Sequence, residues 1–297
     1  MGTPEFAVPS LNALVENGKN VVAVVTAPDK PAGRGLKLQT SAVKDAALNH
    51  NIPVLQPANL KSSEFLEELK SYQADLQVVI AFRMLPQSVW SMPNYGTFNL
   101  HASLLPQYRG AAPINWAIIN GEKETGLTTF LLKQEIDTGD VILQEKETIK
   151  LDDTAGTLYE RLMSKGAGLV LKTVELIENN NYKLLPQVTT NTIIQAPKIH
   201  KETCKIDWNK TAAEVQNFIR GLSPYPAAWT MIQDKSCKIY RTHIINTKSN
   251  KKAGEYNTDG KTYLHLVTAD GEIAIDELQL EGKKRMGIEE FLRGNKL

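Results

Sequence analysis

The sequence predicts an α/β protein, a doubly wound, mostly parallel sheet followed by a small C-terminal β-barrel. Two patterns predict it. Over residues 1–180, apolar runs rich in β-branched residues alternate with amphipathic stretches, as in a parallel sheet wrapped by helices. Beyond residue 200 the apolar runs are short and separated by Gly, Asn and Asp, which suits a small barrel.

The elements follow in order. Residues 21–26 (VVAVVT), 76–81 (LQVVIA) and 96–100 are continuous and apolar, so they read as buried strands. Residues 10–17, 41–50, 62–72 and 154–179 carry helical periodicity. Ser62 is a natural N-cap with acidic residues behind it, and Asp153 and Thr154 cap the long helix that follows. Residues 141–149 and 183–188 read as further strands. Residues 186–200 (PQVTTNTIIQAPKIH) have no periodicity and carry two prolines, so they read as a linker between a first domain, 1–185, and a second, 201–297. The second domain holds a helix at 212–222 and short strands at 227–233, 237–246, 262–268 and 272–280.

One element is missing from this pattern. A doubly wound domain opens with an apolar strand, yet this chain opens on Gly2-Thr3-Pro4-Glu5-Phe6. Either the coding start lies upstream of Met1 or the protein is compromised; the first is the expectation.

Composition narrows the class. The 297 residues carry a net charge of +1. Residues 1–200 hold 18 basic and 20 acidic side chains and residues 201–297 hold 16 and 13, so the C-terminal third is mildly basic and permits a polyanionic partner without demanding one. Cys204 and Cys237 stand far apart with no His or Cys at ligand spacing, which argues against zinc and against a disulfide scaffold and suits a reducing cytoplasm. No apolar run is long enough to span a bilayer, and the N-terminus lacks the basic and apolar regions of a signal peptide. Gly2-Thr3-Pro4 is not a GxGxxG turn, so a dinucleotide oxidoreductase is rejected.

Chemistry concentrates in 99–106 (NLHASLLP), in Arg109-Gly110 and in Asp137-Thr138-Gly139-Asp140. Asn99 and His101 are two apart, so on an extended segment they face the same side. In an open α/β sheet, ligands bind beyond the strand C-termini, which puts both residues at the mouth of the sheet. An amide N–H and an imidazole N–H converging there can hold a developing oxyanion. A carboxylate beside the His would orient the ring and favour its charged form. Each piece has a plainer reading alone: a capped turn for Asn-x-His, a strand exit for Ser103–Pro106 and an ordinary turn for Asp137–Asp140.

Together the motifs resemble the formyltransferase family that uses 10-formyltetrahydrofolate. The resemblance rests on GTPEFA at the start, Pro28–Gly35 (PDKPAGRG), FNLHASLLPQYRGAAPINWAI at 98–118, Glu135–Asp140 (EIDTGD) and GLSPYPAAW at 221–229. GTPEFA, PAGRG and the second domain narrow it to members acting on methionyl initiator tRNA. The resemblance implies a Rossmann-like formyltransferase domain followed by an OB-like, tRNA-binding domain. It implies catalytic roles for Asn99, His101 and Asp137. It implies folate contacts from Phe82, Arg83, Met84 and Leu85, and from Ser103, Leu104, Leu105 and Pro106. Phe82-Arg83 stands where many tRNA-acting members have Tyr-Gly. Lys30, Arg34 and Lys37 would meet the acceptor end of the tRNA, Arg34 best, because a guanidinium can bind phosphate bidentately or stack on a base. Lys283-Lys284-Arg285 is either solvated surface or an RNA contact. No metal is implied, and a cytoplasmic monomer is expected. The same chemistry on a sugar-nucleotide or glycinamide ribonucleotide amine, and an inactive folate- or RNA-binding protein, are the rival readings.

Overall fold

A computed structural model describes residues 1–32, 37–188, 192–245, 247, 249–295 and 297. In chain order, the first part contains α1 (Val8–Glu16), β1 (Val24–Val25), β2 (Lys30–Ala32), β3 (Lys37–Gln39), α2 (Ala42–Asn49), β4 (Val54–Leu55), α3 (Ser63–Ser71), β5 (Gln77–Ile80) and α4 (Gln87–Trp90). Next come β6 (Thr97–His101), β7 (Arg109–Gly110), α5 (Pro113–Ile119), β8 (Glu124–Leu131), β9 (Val141–Thr148), α6 (Ala155–Glu178) and β10 (Gln195–Ala196). The remainder is α7 (Ala212–Leu222), β11 (Ala228–Ile232), β12 (Lys235–Ile245), β13 (Tyr256–Thr258), β14 (Leu264–Val267), β15 (Glu272–Leu280), β16 (Met286–Gly287) and α8 (Ile288–Gly294).

These elements form two compact units that interleave along the chain. The first comprises Met1–Arg109, Gly126–Glu147 and Tyr159–Gln195; the second comprises Gly110–Thr125, Thr148–Leu158 and Ala196–Leu297.

In the first unit, β1 pairs with β4 in parallel, and a four-stranded sheet runs β5-β6-β8-β9. β5 and β6 are parallel, while β6 and β8 are antiparallel, so the sheet is mixed. The backbone of Met1 and Gly2 bridges the two sheets: Gly2 N donates to Val25 O at 3.1 Å and Ile80 N donates to Met1 O at 2.9 Å. Ser41 and Ser62 cap α2 and α3, their hydroxyls accepting from Lys44 N and Phe65 N. Val25, Leu55, Phe65, Leu69, Val79, Leu85 and Val89 build one core.

β6 shows how the core aims the site. Phe98 and Leu100 are buried on one face, and Leu100 meets α6 at Gly166, where an added Cβ would stand 2.8 Å from its Cδ2. The glycine lets the helix approach without displacing that methyl group. With Leu100 fixed against α6, Asn99 and His101 must face the other way.

In the second unit an antiparallel sheet runs β11-β12-β15-β14-β13, with β16 beside β15, an OB-like half-barrel. α7 opens with a capping box: Thr211 Oγ1 accepts from Glu214 N, and the Glu214 carboxylate accepts from Thr211 N. Its apolar stripe, Val215, Ile219 and Leu222, joins Ile239, Leu264, Ile273, Ile275 and Leu278 in a second core.

Several expectations need correcting. The strand expected at 183–188 reduces to a single bridge, Leu185 with Val141, because Pro186 cannot donate to a ladder. β8, a central strand, has no continuous apolar run to mark it in the sequence, because Thr125, Thr128 and Thr129 interrupt it. Within Pro28–Gln39, residues 30–32 and 37–39 are paired antiparallel strands, β2 and β3. α4, α5 and α8 are additional short helices.

Candidate active site

His101 ends β6 and is 6% exposed. Its Nε2 lies 2.8 Å from the carbonyl of Tyr108, a residue held at φ +60°. A carbonyl can only accept, so this contact fixes the proton on Nε2 and leaves Nδ1 facing Asp137. The Nδ1–Oδ2 distance is 3.9 Å, beyond a direct hydrogen bond. The sequence left open which ring N–H would face a developing charge. Nε2–H is committed to Tyr108, so Nδ1 is the reactive nitrogen. Asn99, two residues back on the same face, is half-buried.

The segment after β6 is locked by hydrogen bonds centred on the buried Thr128 hydroxyl. Thr128 stands opposite His101 in the β6–β8 register. Its Oγ1 donates to Ser103 O at 2.7 Å and accepts from Leu105 N at 3.2 Å and from Gln144 Nε2 at 3.0 Å. Gln144 Nε2 also donates to Leu105 O at 2.8 Å. Ser103 is fully buried and its hydroxyl donates to Gln107 O, so its side chain shapes this turn rather than offering a free hydroxyl to a ligand. Leu105 is buried, while Leu104 and Pro106 are half-buried.

Asp137 sits in the turn between β8 and β9 in the left-handed region, φ +55°. Gly139, two residues on, passes so close to β8 that a Cβ would fall 1.6 Å from Leu131 O. Gln187 closes the other side: its Nε2 donates to Asp137 O at 2.9 Å and to Gly139 O at 2.8 Å, and its Oε1 accepts from Arg109. Asp140 pairs with Lys133 at 2.9 Å and so supports the turn.

The remaining candidates divide. Ala81–Leu85 leaves β5 with Ala81 at φ +48°. Leu85 is buried in the core, Phe82 packs against that core, and Met84 is 69% exposed. The Arg83 guanidinium donates to the carbonyls of Ala58, at 3.0 Å, and Pro57, and lies 5.7 Å from the Phe82 ring centroid. Lys30 is exposed on β2; Arg34 and the Lys37 side chain lie outside the described residues. At the root of this hairpin, hydrogen bonds from Lys44 and Gln56 hold the Asp29 carboxyl below the usual carboxylate range. In the second unit Lys284 pairs with Glu290, and Arg285 pairs with Glu277 while its Cζ lies 4.2 Å from the Tyr240 ring centroid.

The sequence does not single out Thr128, Gln144, Tyr108 or Gln187 as site residues. None has a distinctive local pattern, because each acts through a partner distant in sequence. Among the described residues, no three or more His, Cys, Asp or Glu side chains are grouped to hold a metal, and no helix is long and apolar enough to cross a membrane.

A family model described as formyl transferase matches residues 1–174, and one described as formyl transferase, C-terminal domain, matches residues 198–296. The chain belongs to the formyl transferase family. Curated formyl transferases include the methionyl-tRNA formyltransferase of Bacteroides fragilis, 52% identical over 302 residues, covering 99% of this chain and 93% of that protein. The methionyl-tRNA formyltransferase of Azobacteroides pseudotrichonymphae is 54% identical over 306 residues, covering 99% and 94%. Among solved formyl transferases, WlaRD, a sugar 3N-formyl transferase in the presence of dTDP and 5-N-formyl-THF, aligns at a TM-score of 0.69 and 25% identity over 95% of this chain and 97% of that one.

Proposed function

We propose that this formyl transferase moves a formyl group from 10-formyltetrahydrofolate to the free amino group of methionine on initiator tRNA, for translation initiation. The observation that carries this is identity of 52–54% running through both family domains to relatives named methionyl-tRNA formyltransferase. In this reading residues 1–185 form the catalytic domain, 186–200 the linker and 201–297 the tRNA-binding domain of a cytoplasmic monomer.

The chemistry follows from the residues. The acceptor amine must attack as the free base, and an α-amino group titrates near about 8, so a useful fraction is neutral near pH 7. Attack forms a C–N bond at the formyl carbon and pushes its oxygen to an oxyanion. Asn99 Nδ2–H and protonated His101 Nδ1–H donate to that oxygen; one such donor is typically worth roughly 10²–10³ in rate. Collapse breaks the bond to N10 of the folate, which takes up a proton as the amine loses one. Asp137 Oδ2, 3.9 Å from Nδ1, relays that proton. Phe82–Leu85 and Ser103–Pro106 form the folate-binding segments. Leu85 anchors the first of these segments in the core. Lys30, Arg34 and Lys37 meet the tRNA acceptor end.

The test is a formyl-transfer assay with 10-formyltetrahydrofolate and methionyl initiator tRNA, with free methionine and an amino-sugar nucleotide in parallel. Transfer confined to the charged tRNA is expected. Preferential transfer to the sugar nucleotide would sink the reading.

A further inference from the structure

We propose that Gln187 is a positioning residue that sets the spacing between His101 and Asp137. It rests on the formyl-transfer reading. Gln187 lies in a stretch with no periodicity, and its side chain is tied to residues 48 to 78 positions away. Its Nε2 donates to the carbonyls of Asp137 and Gly139, while its Oε1 accepts from Arg109 Nη2 at 2.6 Å and Nε at 3.2 Å. One amide thus grips both halves of the site. On one side is the left-handed Asp137 turn, which Gly139 already presses against Leu131. On the other is Arg109, whose neighbour Tyr108 holds His101 Nε2 at 2.8 Å.

The side-chain type is specific to this task. Glutamine can donate twice from one end and accept twice at the other. Glutamate keeps the Arg109 contact but has no donor for the two carbonyls. Alanine loses both ends. The gap being held, 3.9 Å between Nδ1 and Oδ2, admits one reacting polar atom's hydrogen-bond geometry on either side. A shift of about 1 Å in such a site can cost roughly 100-fold in rate.

The test compares wild type, Gln187→Ala and Gln187→Glu in steady-state formyl transfer, followed by Gln187→Ala in an Asp137→Asn background by single turnover with enzyme in excess. Both single variants should lose about 10- to 100-fold in kcat, with KM for folate and tRNA within about twofold. Thermal midpoints should stay near wild type. In the Asp137→Asn background the Gln187→Ala loss should vanish, because its route to the reaction is gone. Four results would overturn the proposal: wild-type kcat in Gln187→Glu, a loss confined to KM, losses that multiply in the double variant, or unfolding of both single variants. Absence of transfer by the wild type is a different result, and overturns the formyl-transfer reading itself.

Discussion

Replacing Thr128 by Val removes one hydroxyl and nearly nothing else. In the folded chain that hydroxyl serves three partners inside a site where Thr128 and Ser103 are fully buried. Valine leaves the Leu105 N–H without its acceptor and the Ser103 carbonyl without its donor. Gln144 keeps the Leu105 carbonyl. A buried donor left unpaired costs about 1–3 kcal/mol, and a carbonyl with a second lone pair costs less, so the total is about 2–4 kcal/mol. For a unit of this size each kcal/mol lowers the midpoint by roughly 2–4 °C, which gives a fall of roughly 4–16 °C in the transition of the first unit by calorimetry. The turn at 103–105 directly follows His101, so kcat for formyl transfer should fall about tenfold or more. Thr128→Ser, which keeps the hydroxyl and loses a methyl worth about 0.8 kcal/mol, should restore most of both. A Thr128→Val protein that melts within about 1 °C of wild type with unchanged kcat would refute the reasoning.

Other perturbations test separate parts. His101→Ala and Asp137→Asn should each lose most formyl transfer, about 100-fold or more, while far-UV circular dichroism stays that of the folded protein; near-normal turnover in either removes the proposed oxyanion chemistry. Arg34→Ala should weaken transfer to charged tRNA and leave folate affinity by fluorescence titration alone; a matched loss of folate affinity contradicts the assigned role. Glu147 is 8% exposed between Arg161, 2.6 Å away, and Lys165, 2.5 Å away. Burial works to raise its pKa, but hydrogen bonds from Lys165 and Arg161 outweigh it and hold the carboxyl below the ordinary glutamate range. A lowered folded pKa contributes stability above the unfolded value and loses it as pH falls through the folded one. Glu147→Gln should therefore cost about 1–3 kcal/mol in urea at pH 7, discounted because Lys165 is partly exposed, and the gap should narrow below about pH 4.5. A gap constant from pH 7 to 4 contradicts this.

Much of the fold was legible because its signals are local. Helix α7 spans Ala212–Leu222, the span read from the sequence. Ser62 caps α3 as its place before the acidic residues suggested. Strands such as β5 and β15 follow from continuous or alternating apolar runs. β8 was illegible for the opposite reason. Its threonines look polar in sequence, but Thr128 and Thr129 spend their hydroxyls on Ser103 O and on Thr173, so a polar pattern fills a buried strand.

The sequence by itself determined the strongly periodic helices and the apolar strands, and the pairing of Asn99 with His101 on one strand face, because a strand's two-residue period fixes it. It also determined the family, through motifs contiguous in the chain. Only the tertiary structure decided which imidazole nitrogen faces Asp137, how far away it stands, and that Thr128 and Gln187 hold the surrounding turns. Those are hydrogen bonds between residues up to 78 positions apart. Their geometry depends on how strands and turns pack, and no local pattern encodes it.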